Sequence, residues 1–185
     1  MQVLRNHQPL ESASKGPGDP SPWVRRFAPL FRAQGRVLDL AAGGGRHSLL
    51  LRAMGFRVVA VDRDISGLAR LAGDPECEVV ALDLEDGAPW RLGGGYDGIV
   101  VTNYLHRPLL PTLVGSLEPG GVLLYETFAQ GNERFGKPSN PAFLLAPGEL
   151  LEAVRGRLRV VAYEDRVQDQ PRPAAMQRLC ARAVG

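Results

Sequence analysis

Cysteine is almost missing from this sequence. Cys77 and Cys180 are the two copies in 185 residues, far apart and in no CxxC pair. That spacing excludes a disulfide framework and a cysteine-based zinc site, so no metal is expected. It points instead to reduced thiols in a cytoplasmic protein. Charge of one sign is missing too. There are 22 Lys and Arg against 20 Asp and Glu, a net +2, which singles out no electrostatic partner. No apolar run approaches the roughly 20 residues of a membrane span. The stretch from Met1 to Pro22 has no apolar centre of the kind a secretory signal needs. The expected partner is therefore a small molecule, with neither nucleic acid nor membrane involved, and the oligomeric state is left open.

What the chain does have is punctuation, with 22 glycines and 15 prolines. Residues Met1 to Pro20 are polar and rich in Gly, Pro and Ser, and read as a flexible arm. One domain is expected from Ser21 to Gly185. Ser21 suits a helix cap and Pro22 the first helical position. Trp23, Phe27, Leu30 and Phe31 then share one face, and Pro29 should kink or split the helix. After Gly35 the chain alternates. "RVLDL", "RVVAVD", "CEVVALDL", "YDGIVVTN" and "GVLLYETF" read as buried strands. "RHSLLLRAM", "SGLARLA" and "PLLPTLVGSL" read as the helices between them. Short strands apolar on both faces, separated by helices, predict an α/β fold whose doubly wound parallel sheet is covered on both sides. "AQGNERFGKPSNPAFLLAP" interrupts the pattern as a long polar insertion, of the kind that often serves as a lid. A short helix, "PGELLEAV", follows. "LRVVAYEDRV" and "AAMQRLCARAV" read as a closing hairpin.

The chemistry gathers where the first strand ends. In such a sheet, ligands bind outside the carboxyl ends of the strands. Gly43, Gly44 and Gly45 lie there and let backbone approach a ligand without a Cβ in the way. A dinucleotide would want glycine at the positions of Ala41, Gly43 and Arg46, and two of the three fail. The acidic Asp39 ahead of the turn would repel a pyrophosphate and attract an amino group or a sulfonium. That favours S-adenosylmethionine over NAD. Asp62 ends the second strand, where a carboxylate can accept both hydroxyls of a ribose. Asp83 ends the third, where it can accept from an adenine amino group.

"VLDLAAGGGRHS", "VVAVDRD", "ALDLED" and "GIVVTNYLHRPL" together resemble the ordered motifs of class I S-adenosylmethionine-dependent methyltransferases. The resemblance covers roughly Arg36 to Phe128. Within that class the chain looks most like the small bacterial group related to the tellurite-resistance methyltransferases. The resemblance implies a Rossmann-like sheet of seven strands, six parallel and one antiparallel, with helices on both faces. It also implies that Asp39, Ala41, Gly43 and Gly45 surround the methionine part of the cofactor. Asp62 would hold the ribose, with Arg63 beside the adenine and Asp83 and Leu84 along the adenine edge. Asn103 would lie near the sulfonium. The departure is Ala41, where the family has glycine; a positive φ there would strain an alanine.

"TNYLHRPL" follows the fourth strand and is expected to face the transferred methyl group. His106 is the candidate general base, because an imidazole titrates near neutrality. Tyr104 is the candidate for orienting the acceptor. Arg107, and from the insertion Arg134, are the candidates for pairing with an anionic one. His47, at a helix start, is expected to pack or cap. Two other readings stay open on the residues alone: a binding protein that keeps the cofactor fold without the chemistry, and an NAD-dependent oxidoreductase.

Overall fold

A computed structural model describes residues 18–185; most of the expected arm, and His7 with it, lies outside them. The first element is the helix α1, Pro22–Phe27. Ser21 caps it, its Oγ accepting the Trp23 N–H at 3.1 Å. Pro29 then limits the continuation to a 3-10 turn, Ala28–Leu30. Trp23, Phe27 and Phe31 are buried as the spacing predicts, whereas Leu30 is exposed. Burying a side chain such as Phe27 contributes about 1.5–3 kcal/mol.

Seven strands follow: β1 Arg36–Leu40, β2 Arg57–Asp62, β3 Cys77–Ala81, β4 Tyr96–Thr102, β5 Leu117–Phe128, β6 Leu158–Gln168 and β7 Ala174–Ala183. They form one sheet in the order β3-β2-β1-β4-β5-β7-β6. Pairs from β3 through β5 are parallel, and β7 lies antiparallel between β5 and β6. The seven-stranded, six-plus-one sheet is thus as expected. The strand order reverses at β1 and β4, so the crevice between their ends is the place for a ligand.

Side chains alternate across the sheet. Leu38, Leu40, Ile99 and Val101 join one core with the helices α3, Leu110–Gly115, and α4, Glu149–Val154. Val37, Ala60, Val100 and Leu124 join another with α1 and with α2, Arg46–Ala53. None of the described helices is long and apolar enough to cross a membrane.

Three elements differ from the expectation. "SGLARLA" folds as a 3-10 helix, Ile65–Leu71, with its Gly67 tight against the turn after β1. β3 stops at Ala81, so Asp83 stands beyond the strand; its Oδ1 accepts the Glu85 N–H at 2.9 Å and turns the chain away. The insertion after Phe128 is pinned to the body of the protein. Leu144 and Leu145 are buried, Leu145 bridges to Ala129, and Arg107 donates to the carbonyls of Ala142 and Leu144.

Candidate functional site

The turn after β1 is built from backbone that side chains resist. Ala41 has φ +54°, Gly43 +54° and Gly45 +74°. Left-handed backbone costs an L-residue about 1–2 kcal/mol, so the strain expected of Ala41 is present. Asn103, just after β4, also has φ +55°, a conformation Asn tolerates better than most residues. Strained residues thus stand on both sides of the crevice, where backbone strain tends to mark function. A Cβ on Gly43 would meet nothing within 4 Å and would project into open space. A Cβ on Gly67 would lie 2.6 Å from the Gly43 carbonyl oxygen, and one on Gly45 2.9 Å from Leu68. The 3-10 helix is therefore pressed on the back of the turn, and the free side faces a cavity of about 300 Å³.

Ala41, Gly43, Gly44, Asn103 and Tyr104 line that cavity. Asp62 touches it through the turn: its Oδ2 accepts the Gly43 N–H at 2.8 Å and its Oδ1 the Asp64 N–H at 3.0 Å. A carboxylate has about four acceptor sites, so two remain for a diol. The Tyr104 hydroxyl is buried without a hydrogen bond of ordinary geometry, although the Glu85 carboxylate is close enough to act on it. Burial, and next the Glu85 and Asp83 carboxylates, push its pKa up, and the charge of Arg63 acts on it in the other direction. The charges of those side chains therefore act on Tyr104. Leu84 packs against the sheet core. The bare turn, the free acceptor sites of Asp62 and the buried phenol fit a nucleoside.

Asp39 departs from its expected place. Period-two alternation puts it on the same face as Val37, under α2, and it is 1% exposed. Its Oδ2 accepts the Ser48 hydroxyl at 2.5 Å. Burial raises its pKa to about 6, against the opposing pull of Ser48 and Arg46. It braces the turn from behind rather than facing a ligand. The charge preference drawn from Asp39 therefore loses its geometric basis.

Nor do the expected reaction residues converge. His106 heads the 3-10 turn Arg107–Leu109 and lines neither cavity described here. Arg107 is committed to Glu149 by two bonds of 2.6 and 3.0 Å, besides the two carbonyls it holds. Arg134 folds back on the Gly131 carbonyl and lies 5.6 Å from the Phe135 ring. Tyr104 does reach the smaller cavity.

A second, larger cavity of about 770 Å³ shares Arg46 and Asn103 with the first. Its walls are α1, the tip of β5 and the β6–β7 hairpin. Its charged floor joins distant segments. Glu126 accepts from Ser21 Oγ at 3.1 Å and from Arg178 Nε at 2.5 Å, and Arg178 also reaches Glu164 at 3.0 Å. Behind it, His47 Nε2 accepts the Ser21 N–H at 3.1 Å, which leaves Nδ1 to donate to Thr102 Oγ1 at 3.3 Å. Burial, then the charge of Arg46, lowers its pKa to about 3, so His47 works as a neutral tie between α1 and β4.

Comparison with known proteins defines the class. The family described as "Methyltransferase domain" matches residues 13–139, more than half of the chain. The chain belongs to this methyltransferase-domain family. It is 35% identical over 115 residues to the demethylmenaquinone methyltransferase of Clavibacter sepedonicus, a match covering 57% of this chain and 45% of that one. The chain spans less than half the length of the curated relatives it matches. Among solved structures, TehB from Haemophilus influenzae superposes with a TM-score of 0.69 at 21% identity, covering 87% of this chain and 61% of that one. The Burkholderia thailandensis 1,6-didemethyltoxoflavin-N1-methyltransferase, crystallised with 1,6-didemethyltoxoflavin and S-adenosylhomocysteine, superposes with 0.66 at 22% identity, covering 88% and 76%. Both share the fold.

Proposed function

We propose that this chain is a methyltransferase that uses S-adenosylmethionine to methylate a small molecule. One observation carries the reading. A nucleoside-sized hollow over a Cβ-poor turn abuts a second cavity through a common wall of Arg46 and Asn103. The second cavity has the volume of a small-molecule site. The relatives' names, and the S-adenosylhomocysteine in one of the similar structures, point the same way.

When bound, S-adenosylmethionine supplies an already activated methyl group. The chain's own residues do the rest. Asp62 offers its free acceptor sites to a ribose diol, and Asp83 has Oδ2 free for an amino group. Tyr104 offers a hydroxyl. Gly43 and Gly44 keep the approach open. Asp39 and Ser48 hold the turn's shape from behind. The second cavity holds the acceptor against the first, and such positioning can contribute about 7–11 kcal/mol. A soft or anionic nucleophile needs no base in this arrangement, which suits a site that His106 does not reach.

The test is S-adenosylhomocysteine production by the full chain from S-adenosylmethionine. It is run with thiols, metalloid oxyanions, small phenols and small carboxylates as acceptors. Product with at least one acceptor, and none without, is expected. Tight cofactor binding with no turnover across the panel would support a non-catalytic binding protein instead.

A further inference from the structure

The larger cavity carries five arginines and three carboxylates in its wall. Half of these charged groups pair with one another. Arg178 pairs with Glu126 and Glu164, and Arg166 with Glu164. The guanidinium groups of Arg26, Arg46 and Arg172 make no hydrogen bond or ion pair among the described residues, and Asp19 is the one carboxylate of the wall left to oppose them. Arg46 is the most informative of the three. It is only partly exposed, and it belongs to both cavities. Its charge is felt by two buried neighbours, Asp39 and His47, yet neither pairs with it. A half-buried guanidinium without a counter-ion is costly unless a ligand supplies one. The same cavity also has an apolar patch. Phe128 and Met176 are buried beneath it, Trp23 flanks it, and Arg172 lies 5.9 Å from the Phe128 ring.

We propose that the acceptor is a small organic anion. Its acidic group rests on Arg46 and Arg172, and its apolar body lies over Phe128 and Met176. This rests on the methyltransferase reading and names the substrate class for the same site. It also reassigns the anion-pairing role. Arg107 and Arg134 are held elsewhere, and the arginines that serve come from the start of α2 and the β6–β7 turn.

The experiment uses the full chain and three matched pairs: benzoate and benzamide, phenylacetate and phenylacetamide, indole-3-acetate and indole-3-acetamide. Binding is measured by equilibrium titration with and without S-adenosylhomocysteine. Each acid should bind at least ten-fold more tightly than its amide. The preference should shrink at least five-fold in Arg46→Gln and in Arg172→Gln. It should stay intact in Arg159→Gln, an exposed arginine outside the cavity. Acids and amides binding equally, no member of the panel binding, or an equal loss in Arg159→Gln would overturn the proposal. S-adenosylhomocysteine binding is read in the same samples. Its absence, beside a retained acid preference, would count against the methyltransferase reading and not against the anion site.

Discussion

The Asp62 carboxylate accepts the Gly43 N–H at 2.8 Å and so ties the tip of β2 to the turn after β1. One residue thereby does two things: it shapes the bare turn and presents its remaining lone pairs to the cavity the turn faces. The strand tips are coupled before any ligand arrives.

That coupling predicts a double effect of Asp62→Ala. Hydrogen bonds to a charged group contribute about 1.5–3 kcal/mol each. The variant should lower the melting temperature and raise the S-adenosylhomocysteine dissociation constant ten-fold or more. Calorimetry and equilibrium titration report the two separately. An unchanged dissociation constant would show that the ribose lies elsewhere.

Asp39 gives a prediction with a definite sign. Its folded pKa is raised from 3.8 to about 6 by burial. The stability this contributes is fully present below the unfolded value and is lost as pH rises through about 6. The loss amounts to about 3 kcal/mol, at about 1.36 kcal/mol per unit. Asp39→Asn cannot ionise. Its melting temperature should therefore exceed that of the wild type at pH 8, with the gap closing towards pH 4. His47 acts in the opposite direction, being held neutral and losing stability as pH falls below 6.5, but it is common to both proteins and cancels in the difference. Parallel melting curves across the range would contradict the buried placement.

Arg107 should behave as a structural residue. Its fork on Glu149 and its bonds to Ala142 and Leu144 fasten the insertion to the start of α4. Arg107→Gln should lower the folding free energy by about 1 kcal/mol for a partly exposed pair, and the melting temperature with it. A double-mutant cycle with Glu149→Gln should show the two losses to be less than additive. A large fall in acceptor affinity at unchanged stability would restore Arg107 as a ligand for substrate.

The architecture was legible because its signals are local. Hydrophobic runs such as "RVVAVD" and glycines at turns declare strands and their ends without reference to the rest of the chain. The nucleoside hollow was legible for the same reason: Ala41, Gly43 and Asn103 sit directly after strands. Asp39 was misplaced although the clue was present, since alternation from Val37 puts it on the helix-covered face. Gly67 and Ser48 went unnoticed because their roles are contacts with the turn from other segments. The acceptor wall was out of reach. Arg46 and Arg172 are 126 positions apart, and only the folded sheet brings β7 beside β5 and the hairpin over α1.

The central claim is that the hollow over Gly43 and Gly44 receives the nucleoside of S-adenosylmethionine. Equilibrium titration of the full chain with S-adenosylhomocysteine and, separately, with NAD tests it most directly. Saturable S-adenosylhomocysteine binding at least a hundred-fold tighter than NAD is predicted. NAD binding as tightly, or no binding of S-adenosylhomocysteine, would contradict it.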